Sequence, residues 1–96
     1  MENNEKEIVL KASKTSNTKS LGSAISRELV KSKEIQVRAI GVQAVNQAVK
    51  AIAIAGGFVG QQGRVINVRI GFNNVAVSDR LKDDQITAIV FILSLQ

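Results

Sequence analysis

Residues 39–59 read AIGVQAVNQAVKAIAIAGGFV, and the fold turns on how this stretch is read. Gly41 turns the chain out of a strand and into a helix from about Val42 to Ala55, which the Gly56-Gly57 pair is expected to stop. Between Ala39 and Gly63 the only charged side chain is Lys50. A helix lying on one face of an open sheet normally carries a charged outer face. Here Val45, Ala48, Val49 and Ile52 form one stripe, while Val42, Gln43, Asn46 and Ala53 leave little to solvate the rest. A chain of 96 residues struggles to enclose such a helix by itself. The expectation is a helix buried twice, by its own sheet and by a second subunit. Val42, Val45, Val49 and Ile52, with Phe91 of the last strand, are the expected dimer-interface residues. A tightly packed helix inside the monomer is the plainer alternative.

Working upstream, Glu34 to Ile40 alternates as a strand, with Ile35, Val37 and Ala39 on one face and Gln36, Arg38 and Ile40 on the other. Before it, Leu21, Ala24, Ile25 and Leu29 recur at helical spacing. Thr18 or Ser20 is the expected cap of that helix, and Gly22 weakens its first turn. The stretch Ser13–Ser20 (SKTSNTKS) is a polar loop, and Ile8, Val9 and Leu10 open a first strand that runs to about Ser13. Downstream of Arg64, Ile66, Val68, Ile70 and Phe72 alternate with Val65, Asn67, Arg69 and Gly71. A polar hairpin loop, Asn73 to Gln85, holds Asp79, Arg80, Lys82, Asp83 and Asp84. The last strand, Ile86 to Leu95, is apolar on both faces, so it is expected to be covered on both sides or to lie at a dimer seam. The order is βαβαββ. Two strand–helix–strand units imply right-handed crossovers onto a four-stranded mixed sheet.

Composition narrows the chemistry. There is no His, Cys, Tyr or Trp, so His- or Cys-based nucleophile pairs and thiolate metal sites are excluded. Three of the five Glu fall in the first seven residues, and the three Asp share one loop. The spacing of Asp79, Asp83 and Asp84 does not match a calcium loop, and a solvated turn of mixed sign is the better reading. The glycines form no phosphate-binding fingerprint, although free N–H groups behind Gly41 suit an anion. No enzyme, cofactor or metal is expected. The start, MENNEKEIVL, lacks the basic and apolar regions of a secretory signal. Strictly apolar runs fall far short of the ~20 residues of a spanning helix. A cytoplasmic protein without a membrane partner is expected, nucleoid-associated if DNA is the target.

The net charge of +5 points to a polyanion. Lys11, Lys14 and Lys19 place three positive charges between residues 11 and 20 with no acid among them. Arg38 and Arg69 point off the core faces of their strands. These five are the expected nucleic-acid contacts, doubled by a dimer into a saddle that follows phosphates. Two of the three Phe read as core, so base stacking is limited and binding is expected to be backbone-directed and weakly sequence-specific.

The run from Ala39-Ile40-Gly41 through Asn46-Gln47-Ala48-Val49-Lys50-Ala51-Ile52-Ala53-Ile54-Ala55 to Gly57-Phe58-Val59 resembles the stage V sporulation protein S (SpoVS) family. Leu10-Lys11-Ala12-Ser13 with its Ser-rich loop, and Thr87-Ala88-Ile89, resemble it as well. SpoVS proteins are similar in fold to Alba, a dimeric chromatin- and RNA-binding family. The resemblance implies an α/β (α+β) chain: an Alba-like βαβαββ two-layer sandwich, with a four-stranded mixed sheet and two helices on one face. Residues 1–7 would be a flexible N-terminus and 8–96 a single SpoVS domain. It also implies a bacterial, homodimeric or higher homo-oligomeric regulator tied to sporulation or development, with nucleic acid (DNA or RNA) as partner. Lys14 and Lys19 fall in Alba's basic first loop. The turn at Ile40-Gly41-Val42-Gln43 lacks Alba's Arg, and residues 73–85, which match its basic arm, carry two bases and three acids. The alternatives are a protein-interaction or assembly module without nucleic-acid binding, and a small-molecule sensor with the second helix's N-terminus as anion pocket.

Overall fold

The computed structural model describes residues 7–76 and 85–96. Its elements follow the order β1 (Ile8–Ala12), α1 (Thr18–Lys31), β2 (Ile35–Ala39), α2 (Val42–Gly60), β3 (Ile66–Ala76) and β4 (Gln85–Leu95). The four strands form one mixed sheet in the order β1-β2-β4-β3. β1 runs parallel to β2, and β4 is antiparallel to both β2 and β3. Both helices lie on one face, where Ile35, Val37 and Ala39 of β2 meet Phe91 and Leu93 of β4 beneath Ile25, Leu29 and the α2 alanines. The expected α+β sandwich is what the chain forms.

Each helix owes its position to small residues. The buried stripe of α2 is Ala44, Ala48, Ala51, Ala55 and Val59, which corrects the Val45–Ala48–Val49–Ile52 stripe. Val45 and Ile52 are only partly buried and Val49 is half exposed, because alanines let the helix lie closer to its neighbours than valines would. α1 supplies the rest of the cover. At Gly22 an added Cβ would stand 2.7 Å from Ile54 Cγ2 and 3.0 Å from the Ala51 carbonyl oxygen, so this glycine is the contact point between the helices. The cap of α1 is neither Thr18 nor Ser20: the Asn17 side chain accepts from the Ser20 N–H at 2.9 Å.

The Gly56-Gly57 pair does not stop α2, which continues to Gly60. Each Gly costs a helix about 1 kcal/mol relative to Ala. Burial of Val59 and a specific terminus oppose that cost. The Gly63 N–H donates to Gly60 O, the Arg64 N–H donates to Val59 O, and Gly63 takes φ +75°. That bond pattern needs a left-handed residue, and glycine occupies it without strain. By length and apolarity α2 could also cross a membrane. Its alanine stripe packs into the protomer's core, and 28% of the stretch is buried overall.

The C-terminal hairpin is longer than expected. Asn73–Ala76 and Gln85 pair as strand rather than loop, with Asn73 opposite Ala88 and Ala76 opposite Gln85. Asp79, Arg80, Lys82, Asp83 and Asp84 lie outside the described residues. β4 is interior, paired along both edges, with Ala88 and Val90 buried on one face and Phe91 and Leu93 on the other. β3 is an edge strand. Its Val68, Ile70 and Phe72 are on the helix side, in register with Leu93, Phe91 and Ile89. Yet Val68 is 43%, Ile70 70% and Phe72 73% exposed, because the helices cover the other three strands. Of the three Phe, only Phe91 is core.

Candidate nucleic-acid interface

β1 and β2 are parallel and end side by side, so the loop after β1 and the turn into α2 meet at one end of the sheet. Lys11 is the register partner of Arg38, on the face away from the helices. Lys14 follows in the turn after β1. These three cations line one cleft of about 760 Å³ together with Ile40, Val42 and Ala88. Open α/β sheets bind ligands at the carboxyl ends of parallel strands.

The local sequence explains the geometry. In the Ser13–Asn17 turn the hydroxyls replace missing backbone partners. The Ser13 N–H donates to Ser16 Oγ at 2.9 Å, the Thr15 N–H donates to Ser13 Oγ, and the Ser16 N–H donates to Ser13 O. Gln47, from the second turn of α2, donates through Nε2 to Ser16 O at 2.9 Å and ties the Lys14 turn to the helix. On β2, Arg38 donates through one terminal nitrogen to Gln36 Oε1 at 3.4 Å, and Gln36 donates in turn to Glu7 at 2.7 Å. The Arg38 Nε is enclosed and lacks a hydrogen-bond partner among the described residues.

Charge is unbalanced here. Cations directly opposite one another on paired strands repel, and Lys11 and Arg38 are so placed. Among the described residues the ion pairs are Lys31–Glu28 and Arg69–Glu34, neither of which involves Lys11, Lys14 or Arg38, and the Glu7 carboxylate is linked to Arg38 only through Gln36. At the mouth, Gly41 takes φ +93° and α2 begins without a side-chain cap. The first N–H groups of α2 thus add positive potential at the same place.

Three of the five expected contacts therefore converge and two do not. Lys19 lies exposed in the first turn of α1 and does not line the cleft. Arg69 shares a sheet face with Arg38 but stands one row along, and its guanidinium pairs with Glu34 at 3.3 Å. Among the expected interface residues, Val42 is 86% exposed at the cleft wall. Phe91 belongs to the protomer's own core and offers no surface. Sequence reasoning missed the roles of Gln47 and Gln36; the one signal for Gln47 was a polar amide in the largely uncharged helix, and Gln36 showed only as a residue off the core face of its strand.

The βαβαββ order, with a four-stranded mixed sheet and both helices on one face, is an Alba-like fold. Alba from Thermoplasma volcanium is similar in fold, with a TM-score of 0.51 and 14% identity, over 90% of this chain and 98% of that one. Within that class the family is narrower. The family model for stage V sporulation protein S (SpoVS) matches residues 8–96, and the chain belongs to the SpoVS family.

Proposed function

We propose that this protein is a homodimeric, cytoplasmic nucleic-acid-binding regulator of the SpoVS type, non-enzymatic and acting in sporulation or development. One observation carries the reading. Lys11 and Lys14 from one stretch of the sequence and Arg38 from another line one cleft, and none of the three forms an ion pair among the described residues. Such a surface gains free energy by releasing counterions from phosphates. No Phe lines the cleft, so it favours backbone contacts over base stacking, and sequence preference is weak.

A second copy completes the reading. The strip Val68–Ile70–Phe72 on an edge strand combines exposed apolar side chains with unpaired backbone, which invites association. A closed two-fold pairing would cover the strip and place two clefts on one particle.

The test is fluorescence anisotropy with labelled duplex DNA, single-stranded DNA and RNA. The wild type is compared with a Lys11→Gln, Lys14→Gln, Arg38→Gln variant and with a Lys19→Gln, Arg69→Gln control. Binding that the first variant loses and the control keeps supports the reading. No binding of any polymer by the wild type at low salt overturns it in favour of an assembly module.

A further inference from the structure

The cleft holds more than charge. Its walls between the cations are aliphatic: Ile40 is 44% and Val42 86% exposed, and Ala88 lies beside them. A surface that only follows phosphates has no use for a concave apolar wall. A cleft of about 760 Å³ also falls within the roughly 300–1,000 Å³ of small-molecule sites, which pair apolar walls with a few placed polar groups. A stacked duplex presents its phosphates outside and its bases inside, so it would meet the cations and leave the walls empty. An unstacked nucleotide fills both parts.

We propose that the cleft binds one unstacked nucleoside phosphate, with its phosphate on Lys11, Lys14 and Arg38 and its base against Ile40, Val42 and Ala88. The inference deepens the proposed function and rests on it only for the source of that nucleotide, which is a single strand or the free monophosphate. Arg38, a lining residue, brings a guanidinium whose planar donors suit a phosphate. Val42, Gln43 and Ala44, the first residues of a helix that starts without a side-chain cap, also line the cleft, and a helix start favours an anion. With no aromatic ring in the cleft the base is held by aliphatic contact, so recognition of base identity is weak.

The experiment is a titration of ¹⁵N-labelled protein with adenosine monophosphate, uridine monophosphate, inorganic phosphate, a ten-nucleotide single strand and a duplex. The wild type is compared with Ile40→Ser, Val42→Ser, and with Val42→Ser alone should the double variant melt early. The nucleoside monophosphates are expected to shift the amides of Lys11–Lys14 and Gly41–Ala44 at lower concentration than inorganic phosphate does. The serine variant should weaken monophosphate and single-strand binding by about tenfold, and Val42→Ser alone by less, while phosphate and duplex stay within about twofold.

Monophosphates that bind no better than phosphate, or a serine variant that weakens all five ligands equally, would overturn the inference. In the first case, charge-dependent polymer binding would leave the proposed function standing. Monophosphate binding without any polymer binding would overturn the proposed function and support the cleft as a site for the free nucleotide.

Discussion

Gly22 shows how one atom sets the distance between layers. Gly22→Ala would force its Cβ against Ile54 and the Ala51 carbonyl, and neither can retreat freely, one being branched at Cβ and the other backbone. Overpacking of this kind costs roughly 1–3 kcal/mol, while the gain in helix propensity returns about 1. The substitution should therefore lower stability modestly, read as a reduced denaturant midpoint with an unchanged m-value. Gln47 acts on the site instead. Gln47→Ala removes the bond to Ser16 O. It should leave the melting temperature nearly unchanged, weaken nucleic-acid binding several-fold, and raise amide hydrogen exchange across residues 13–16. Unchanged exchange in that turn would show that the amide does not hold it. At this scale the sequence was half legible. Lys11 and Lys14 are neighbours in the chain, so their clustering could be read directly. Arg38 joins them only through the parallel register of β1 and β2, and Glu34 withdraws Arg69 through a contact that no spacing reveals.

At the scale of elements, periodicity identified every helix and strand, because each buries one face and the periods differ. Lengths and neighbours were harder. α2 outruns its glycines because its end is fixed by Gly63 and by buried Val59, both beyond the pair that looked like a stop. The apolar surplus of α2, read as evidence for a second subunit, is partly absorbed by α1 at Gly22. Val42, Val49 and Phe58 of α2 stay exposed, and a further uncovered strip is on β3, which looked like an ordinary core strand. Nothing in its alternation says that it lies at the edge, since strand order is decided by the crossovers. The edge carries a prediction. Ile70→Lys puts a charge into the exposed strip without disturbing the protomer core, to which Ile70 contributes little. Sedimentation velocity should show wild-type dimers and variant monomers, with circular dichroism unchanged. A variant that remains dimeric would place the interface elsewhere.

For the whole molecule, the account makes a basic, apolar-walled cleft the working surface, displayed twice by a dimer. Lys11, Lys14 and Arg38 from two protomers give six cations. If all engage phosphates, log K should fall with log salt at a slope of about −5 on duplex DNA and about −4 on single strands. An assembly module held by apolar burial would show little salt dependence. The most direct measurement is this slope for the wild type beside the Lys11→Gln, Lys14→Gln, Arg38→Gln variant, with the fold of both verified. The account predicts a steep slope for the wild type and a shallow one, with weak binding, for the variant. Equal slopes for the two proteins, or a wild-type slope near zero, would contradict it.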